Sequence, residues 1–133
     1  MIAILPAADE ERPALLEQAG LSGPGDCLVA SDGRERLGSV VYRVQGKAVE
    51  IFSAQAEDAR LLDGLLRAAL NAALDAGART AFCAVPALYP ALRTLGFRGP
   101  ENEGASGREP VQAEILDLFS KGCPGGCAGI AGK

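Results

Sequence analysis

The sequence predicts a single α/β domain: a short helix, an antiparallel meander, a long central helix, a strand, a short helix and a last strand. Three observations carry this. Apolar residues recur at helical spacing from Leu62 to Leu74, strand-like runs on either side are cut by Gly- and Pro-containing turns, and 133 residues leave room for one core.

The elements follow in order. Arg12 to Gln18 reads as a short helix, with Pro13 in its first turn and Gly20 just past its end, the placements that helix termini favour. Gly23-Pro24-Gly25-Asp26 is a turn, and Cys27 to Ala30 is a strand whose start could leave the Cys27 thiol accessible. Ser31-Asp32-Gly33-Arg34 reverses the chain into a strand over Leu37 to Val44. Gln45-Gly46-Lys47 turns it again into a third strand, Ala48 to Ala54. Leu62, Leu65, Leu66, Ala69, Leu70, Ala73 and Leu74 then line one wide apolar helix face, with Gly77 placed as a C-terminal cap. Arg79 to Val85 reads as a core strand holding a buried, inert Cys83. Pro86 to Leu95 reads as a shorter helix and Val111 to Ser120 as a last strand. Residues 1–120 form the domain, and Lys121 to Lys133 are a tail rich in Gly and Cys.

Composition narrows the chemistry. The chain is 48% hydrophobic and 23% charged, which suits a self-folding globular protein. It has no basic start followed by an apolar stretch and no run long enough to cross a bilayer, so the expected compartment is the cytoplasm, without a membrane partner. A net charge of -4 with scattered basic residues argues against nucleic acid as a partner. Histidine is absent, which excludes Ser-His-Asp and Cys-His catalysis and the commonest catalytic zinc sites. Proton transfer is left to carboxylates, tyrosine, thiols, lysine, backbone or water.

Three stretches then resemble one family. Leu88-Tyr89-Pro90-Ala91-Leu92-Arg93-Thr94-Leu95-Gly96-Phe97 is similar to the segment after the fifth strand of the GNAT superfamily of N-acetyltransferases, where a short helix ends in a Leu-Gly-Phe turn. Leu65-Leu66 through Asp75-Ala76-Gly77-Ala78 resembles that family's central helix and its exit, and Leu15 to Leu21 resembles its first helix. The resemblance implies a GNAT-like mixed central sheet and transfer of an acetyl group from acetyl-CoA to an amine. The reaction would take place in a groove between the splayed fourth and fifth strands. The acceptor amine stays open, and so does a homodimer.

The resemblance also assigns residues. In the family, the fourth strand leads to a loop of Arg or Gln, two residues, Gly, one residue, and Gly or Ala, whose N–H groups meet the pyrophosphate at the helix start. Here the stretch is Gln55-Ala56-Glu57-Asp58-Ala59-Arg60-Leu61-Leu62-Asp63-Gly64, shorter than the family form and with its glycine late. Ser53, Gln55, Arg60, Leu61, Leu62 and Gly64 are the implied cofactor-binding positions. Glu57 and Asp58 read first as first-turn residues of the helix, favourable to its dipole, and only secondarily as neighbours of a phosphate site. Glu50, alternating with Val49 and Ile51, is the candidate general base. The family's thiolate-protonating tyrosine falls on Leu92, and Tyr89, about one turn earlier, is the candidate in its place. The weak cofactor loop keeps a second function class alive, a noncatalytic binding protein on the same scaffold. Its tail pair Cys123-Pro124-Gly125-Gly126-Cys127 could form a thiol or metal clip, although two thiols do not complete a zinc site.

Overall fold

The structure is a computed structural model that describes residues 2–98 and 111–121. Its elements are β1 (Ile2–Pro6), α1 (Arg12–Gln18), β2 (Asp26–Asp32), β3 (Glu35–Gln45), β4 (Ala48–Ala56), α2 (Ala59–Asp75), β5 (Thr80–Cys83), a 3-10 turn (Pro86–Leu88), α3 (Tyr89–Leu95), β6 (Val111–Glu114) and α4 (Ile115–Lys121). The strands lie in one sheet in chain order from β1 to β6. β1 to β4 pair antiparallel, β4 and β5 are parallel neighbours joined through α2, and β6 returns antiparallel to β5. A parallel pair requires such a crossover, because a hairpin cannot join two strands that run the same way. The meander and the long helix stand where the turns and the apolar stripe put them. The glycines of both meander turns, Gly33 and Gly46, take positive φ of 67° and 61°.

Two core clusters divide the sheet faces. On one face, Leu65, Leu66, Ala69, Leu70 and Ala73 of α2 pack with Leu28, Val40, Tyr42, Val49, Ile51 and Cys83, and α3 adds Tyr89, Leu92 and Leu95. The three fully buried leucines of α2 each contribute about 1.5–3 kcal/mol relative to exposure, so the stripe holds the helix to the sheet. On the other face, α1 covers a smaller cluster of Leu15, Leu21, Cys27 and Val41, with Phe52 at its edge. Gly38 of β3 lies tight against both β4 and α2, where a Cβ would sit 2.5 Å from the Gln55 carbonyl oxygen and 2.9 Å from Leu65 Cδ1.

Four readings of the sequence change. Ile2–Pro6, which carries no alternation, is a strand because it completes the free edge of β2. The stretch predicted as one strand from Val111 to Ser120 turns into a helix at Ile115: the strand's apolar positions Val111 and Ala113 give way to Ile115 and Leu118, three apart as a helix face requires. Cys27 is buried under α1 at 4% exposure, because its strand starts inside the smaller cluster. Asp58 is the N-cap and lies outside the first turn. Cys123 and Cys127 lie outside the described residues.

Candidate functional site

β4 and β5 pair over four residues and then part. Ala48 to Ile51 face Thr80 to Cys83, whereas β4 runs on through Ala56 with no partner on that side among the described residues. The cause is local. Val41 of β3 pairs with Ser53 and Tyr42 with Ile51, so Phe52 is one residue too many, a β-bulge that bends β4 away. β5 cannot follow: Pro86 lacks the N–H to extend it, and the Val85 N–H turns back to Cys83 Sγ at 3.4 Å. Ser53 to Ala56 therefore expose a strand edge, with its N–H and C=O groups, inside a V-shaped opening.

Three of the sequence-predicted residues gather at this opening. Glu50 is partly buried and sits one position before the last paired residue of β4. It lies on the α1 face of the sheet, between Arg43 of β3 and Phe82 of β5 in the pairing register. Arg43 is engaged elsewhere, donating to the Ser22 carbonyl at 3.2 Å and stacking over the Phe52 ring at 5.2 Å. Ser53 and Gln55 lie in the unpaired stretch. Gln55 also lines a cleft of about 280 Å³ with Gln18 of α1, Ser39 of β3 and Glu57. Ser39, buried at 4% exposure, was not among the sequence candidates. The break that it makes in the run Gly38-Ser39-Val40-Val41 was the available signal.

The free edge leads to the start of α2, where the remaining candidates separate. Asp58 caps the helix: its Oδ1 accepts from the Leu61 N–H at 2.8 Å, and its carbonyl accepts from the Leu62 N–H at 3.0 Å. The Leu61 donor, which a phosphate would need, already has a carboxylate. Arg60 is exposed in the first turn. Asp63 is held by Arg67 at 2.7 Å, and Gly64 faces β1, where an added Cβ would lie 3.8 Å from Ile4 Cδ1. Gly64 thus loosens contact with β1 and stands apart from the helix start.

Beyond the opening, Tyr89 begins α3 as a buried ring with the Arg93 guanidinium 5.6 Å from its centroid. Leu92, where the resemblance would put a tyrosine, is fully buried. Cys83 closes the paired part of β5. Burial pushes its thiol up, the Val85 N–H partly counters this, and the Glu50 charge adds to the rise.

Comparison with solved structures agrees with this geometry. The chain superimposes on the ribosomal-protein-S18-alanine N-acetyltransferase of Escherichia coli with a TM-score of 0.63 at 13% identity, covering 86% of this chain and 94% of that one. A GNAT family acetyltransferase from Elizabethkingia anophelis with acetyl-CoA bound gives 0.63 at 14% identity, over 85% and 97%. A Bacillus subtilis acetyltransferase in complex with CoA gives 0.58 at 18% identity, over 84% and 96%. By sequence, no family profile and no curated protein matches the chain. The fold is that of the GNAT acetyltransferases. No helix among the described residues is long and apolar enough to cross a membrane.

Proposed function

We propose that the chain is a GNAT-type N-acetyltransferase that receives the pantetheine arm of acetyl-CoA along the free edge of β4 and acetylates a small-molecule amine. The observation that carries this reading is the bulge at Phe52, which leaves Ser53 to Ala56 with unpaired backbone groups. An amide-rich arm can satisfy such an edge as an added strand would. When bound, the thioester supplies an activated acetyl carbon. Glu50, on the α1 face beside the opening, takes the proton of the incoming ammonium. Tyr89, one turn before Leu92, is assigned the proton for the leaving sulfur.

The other end of the donor fits poorly. The Asp58 carboxylate holds the Leu61 N–H, and Glu57 adds a second negative charge, against the single cation of Arg60 in the first turn. Losing two or three hydrogen bonds to a charged group, at roughly 1.5–3 kcal/mol each, weakens binding by several powers of ten. Those same observations, with Leu92 in the tyrosine's place, favour the second reading, a noncatalytic scaffold that binds a ligand or partner.

Calorimetric titration with acetyl-CoA and with acetyl-pantetheine, which lacks the nucleotide, separates the two. Weak and similar affinities for both, together with amine-dependent thiol release, are the expected result. Binding of neither supports the noncatalytic scaffold. Micromolar acetyl-CoA that is much tighter than acetyl-pantetheine, and that weakens in Arg60→Ala, overturns the account of the helix start.

A further inference from the structure

The outer edge of β1 has no strand beside it among the described residues, and its composition is unusual for an exposed edge. Ile2-Ala3-Ile4-Leu5-Pro6 contains no charge, and Ile2 and Leu5 are 51% and 61% exposed. Isolated edges are normally blunted by Lys, by inward-pointing charges or by bulges, because their free backbone groups invite pairing. Here the only such device is Pro6, at the strand's end.

The hydrogen-bond phase shows what could pair there. The Ala7 N–H donates to the Cys27 carbonyl at 2.9 Å, so Ala7 faces β2 as a bonded pair. In an antiparallel ladder the bonded pairs alternate, which turns the backbone of Leu5 and Ala3 toward β2 and that of Ile2, Ile4 and Pro6 outward. The missing N–H of Pro6 therefore falls on the open side and costs the ladder nothing.

We propose that this edge is a two-fold interface between two copies of the chain, with β1 pairing antiparallel to its own copy about Ile4. This register overlaps all five residues. Each Ile4 N–H meets the other Ile4 carbonyl, and each Ile2 N–H meets the other copy's Pro6 carbonyl, making four bonds. Sliding the centre to Pro6 would lose the central donors. The side chains agree, since Ile2 falls opposite Pro6 and Ala3 opposite Leu5, apolar against apolar. The Pro6 end runs into Asp9 and Glu10, and the Ile2 end lies beside the β2–β3 turn, where Arg34 stands between Asp32 and Glu35, so the ends carry mixed charge and the register rests on the backbone ladder and the apolar side chains. Asp9 is bonded to Arg12 and Glu11 to Arg36, which leaves Glu10 and Arg34 outside the described ion pairs. A five-residue edge buries less than the roughly 800 Å² per partner of a standard interface, so the dimer is reversible and concentration-dependent.

Sedimentation of the full chain over a concentration series tests this. The wild type should pass from monomer to dimer. Ile4→Pro removes the central donor and leaves the ladder to β2 intact, and should weaken association by about a hundredfold. Leu5→Lys, which leaves the backbone alone, should also weaken the dimer, and it serves if Ile4→Pro folds poorly. A wild type that stays monomeric, forms open-ended oligomers, or dimerises equally well in both variants overturns the proposal. So does a monomer whose Ile4 amide is protected from exchange, which would put another segment on the edge.

Discussion

At the scale of single residues, Tyr42 shows how burial becomes a pH dependence. Its ring packs under α2 at 6% exposure, directly across the ladder from Asp26. Burial, followed by the charges of Asp26 and Cys27, pushes its hydroxyl from 10.0 up to about 12. The folded pKa is raised, so the unfolded chain ionises first as pH increases. The contribution of Tyr42 to stability is whole below pH 10 and is lost as pH rises through about 12. The loss amounts to up to about 3 kcal/mol. Thermal melts from pH 8 to 12 should show a steeper alkaline decline for the wild type than for Tyr42→Phe. Superimposable profiles would mean that the hydroxyl ionises with the fold intact.

Among the elements, α2 was the most legible, because its stripe of leucines and alanines can be buried only by a helix and because Gly77 ends it at a φ of 104°. Its start was harder to read. Glu57 and Asp58 both suit a first turn, and only the observed bond to Leu61 separates the cap from the turn. Of the site, Glu50 could be placed on its face from alternation alone, whereas Gly64 could not, since its role depends on the contact of α2 with β1. β1 itself escaped notice because an apolar pentapeptide has no period, and what makes it a strand lies more than twenty residues away in β2. The cap gives a test at this scale. Asp58→Ala should cost about 1 kcal/mol in chemical denaturation, whereas Asp58→Asn should retain most of that stability. Asp58→Asn should also raise affinity for acetyl-CoA by removing the charge at the helix start. An unchanged affinity in Asp58→Asn would mean that this carboxylate does not limit phosphate binding.

For the molecule as a whole, the two cores divide the thiols. Cys27 lies under α1 and Cys83 under α2, and burial pushes both thiols up, so neither presents much thiolate at neutral pH. Cys123 and Cys127 belong to a glycine-rich stretch whose composition offers little with which to bury them. Brief alkylation of the native protein followed by peptide mapping should label Cys123 and Cys127 well before Cys27 or Cys83. Early labelling of Cys83 would show that the V between β4 and β5 opens far enough to admit reagent. Tightly bound zinc in the purified protein would favour the metal clip.

The bulge at Phe52 makes one deletion unusually informative. On either side of it β4 alternates without fault, Val49 and Ile51 toward α2, then Ala54 and Ala56 toward α2, so Phe52 can be removed without turning any other side chain to the wrong face. Most single-residue deletions in a strand reverse everything beyond them. A chain lacking Phe52 should therefore fold, with a circular dichroism spectrum like the parent's, losing only the ring's packing on the small core and on Arg43. Its β4 should bend less sharply from β5, with Pro86 still ending the ladder, so Ser53 gains protection from amide exchange while Gln55 does not, and acetyl-pantetheine should bind more weakly. Such a chain would keep the fold with a narrower V, and weakened acetyl-pantetheine binding in it would tie ligand entry to the extra residue at Phe52.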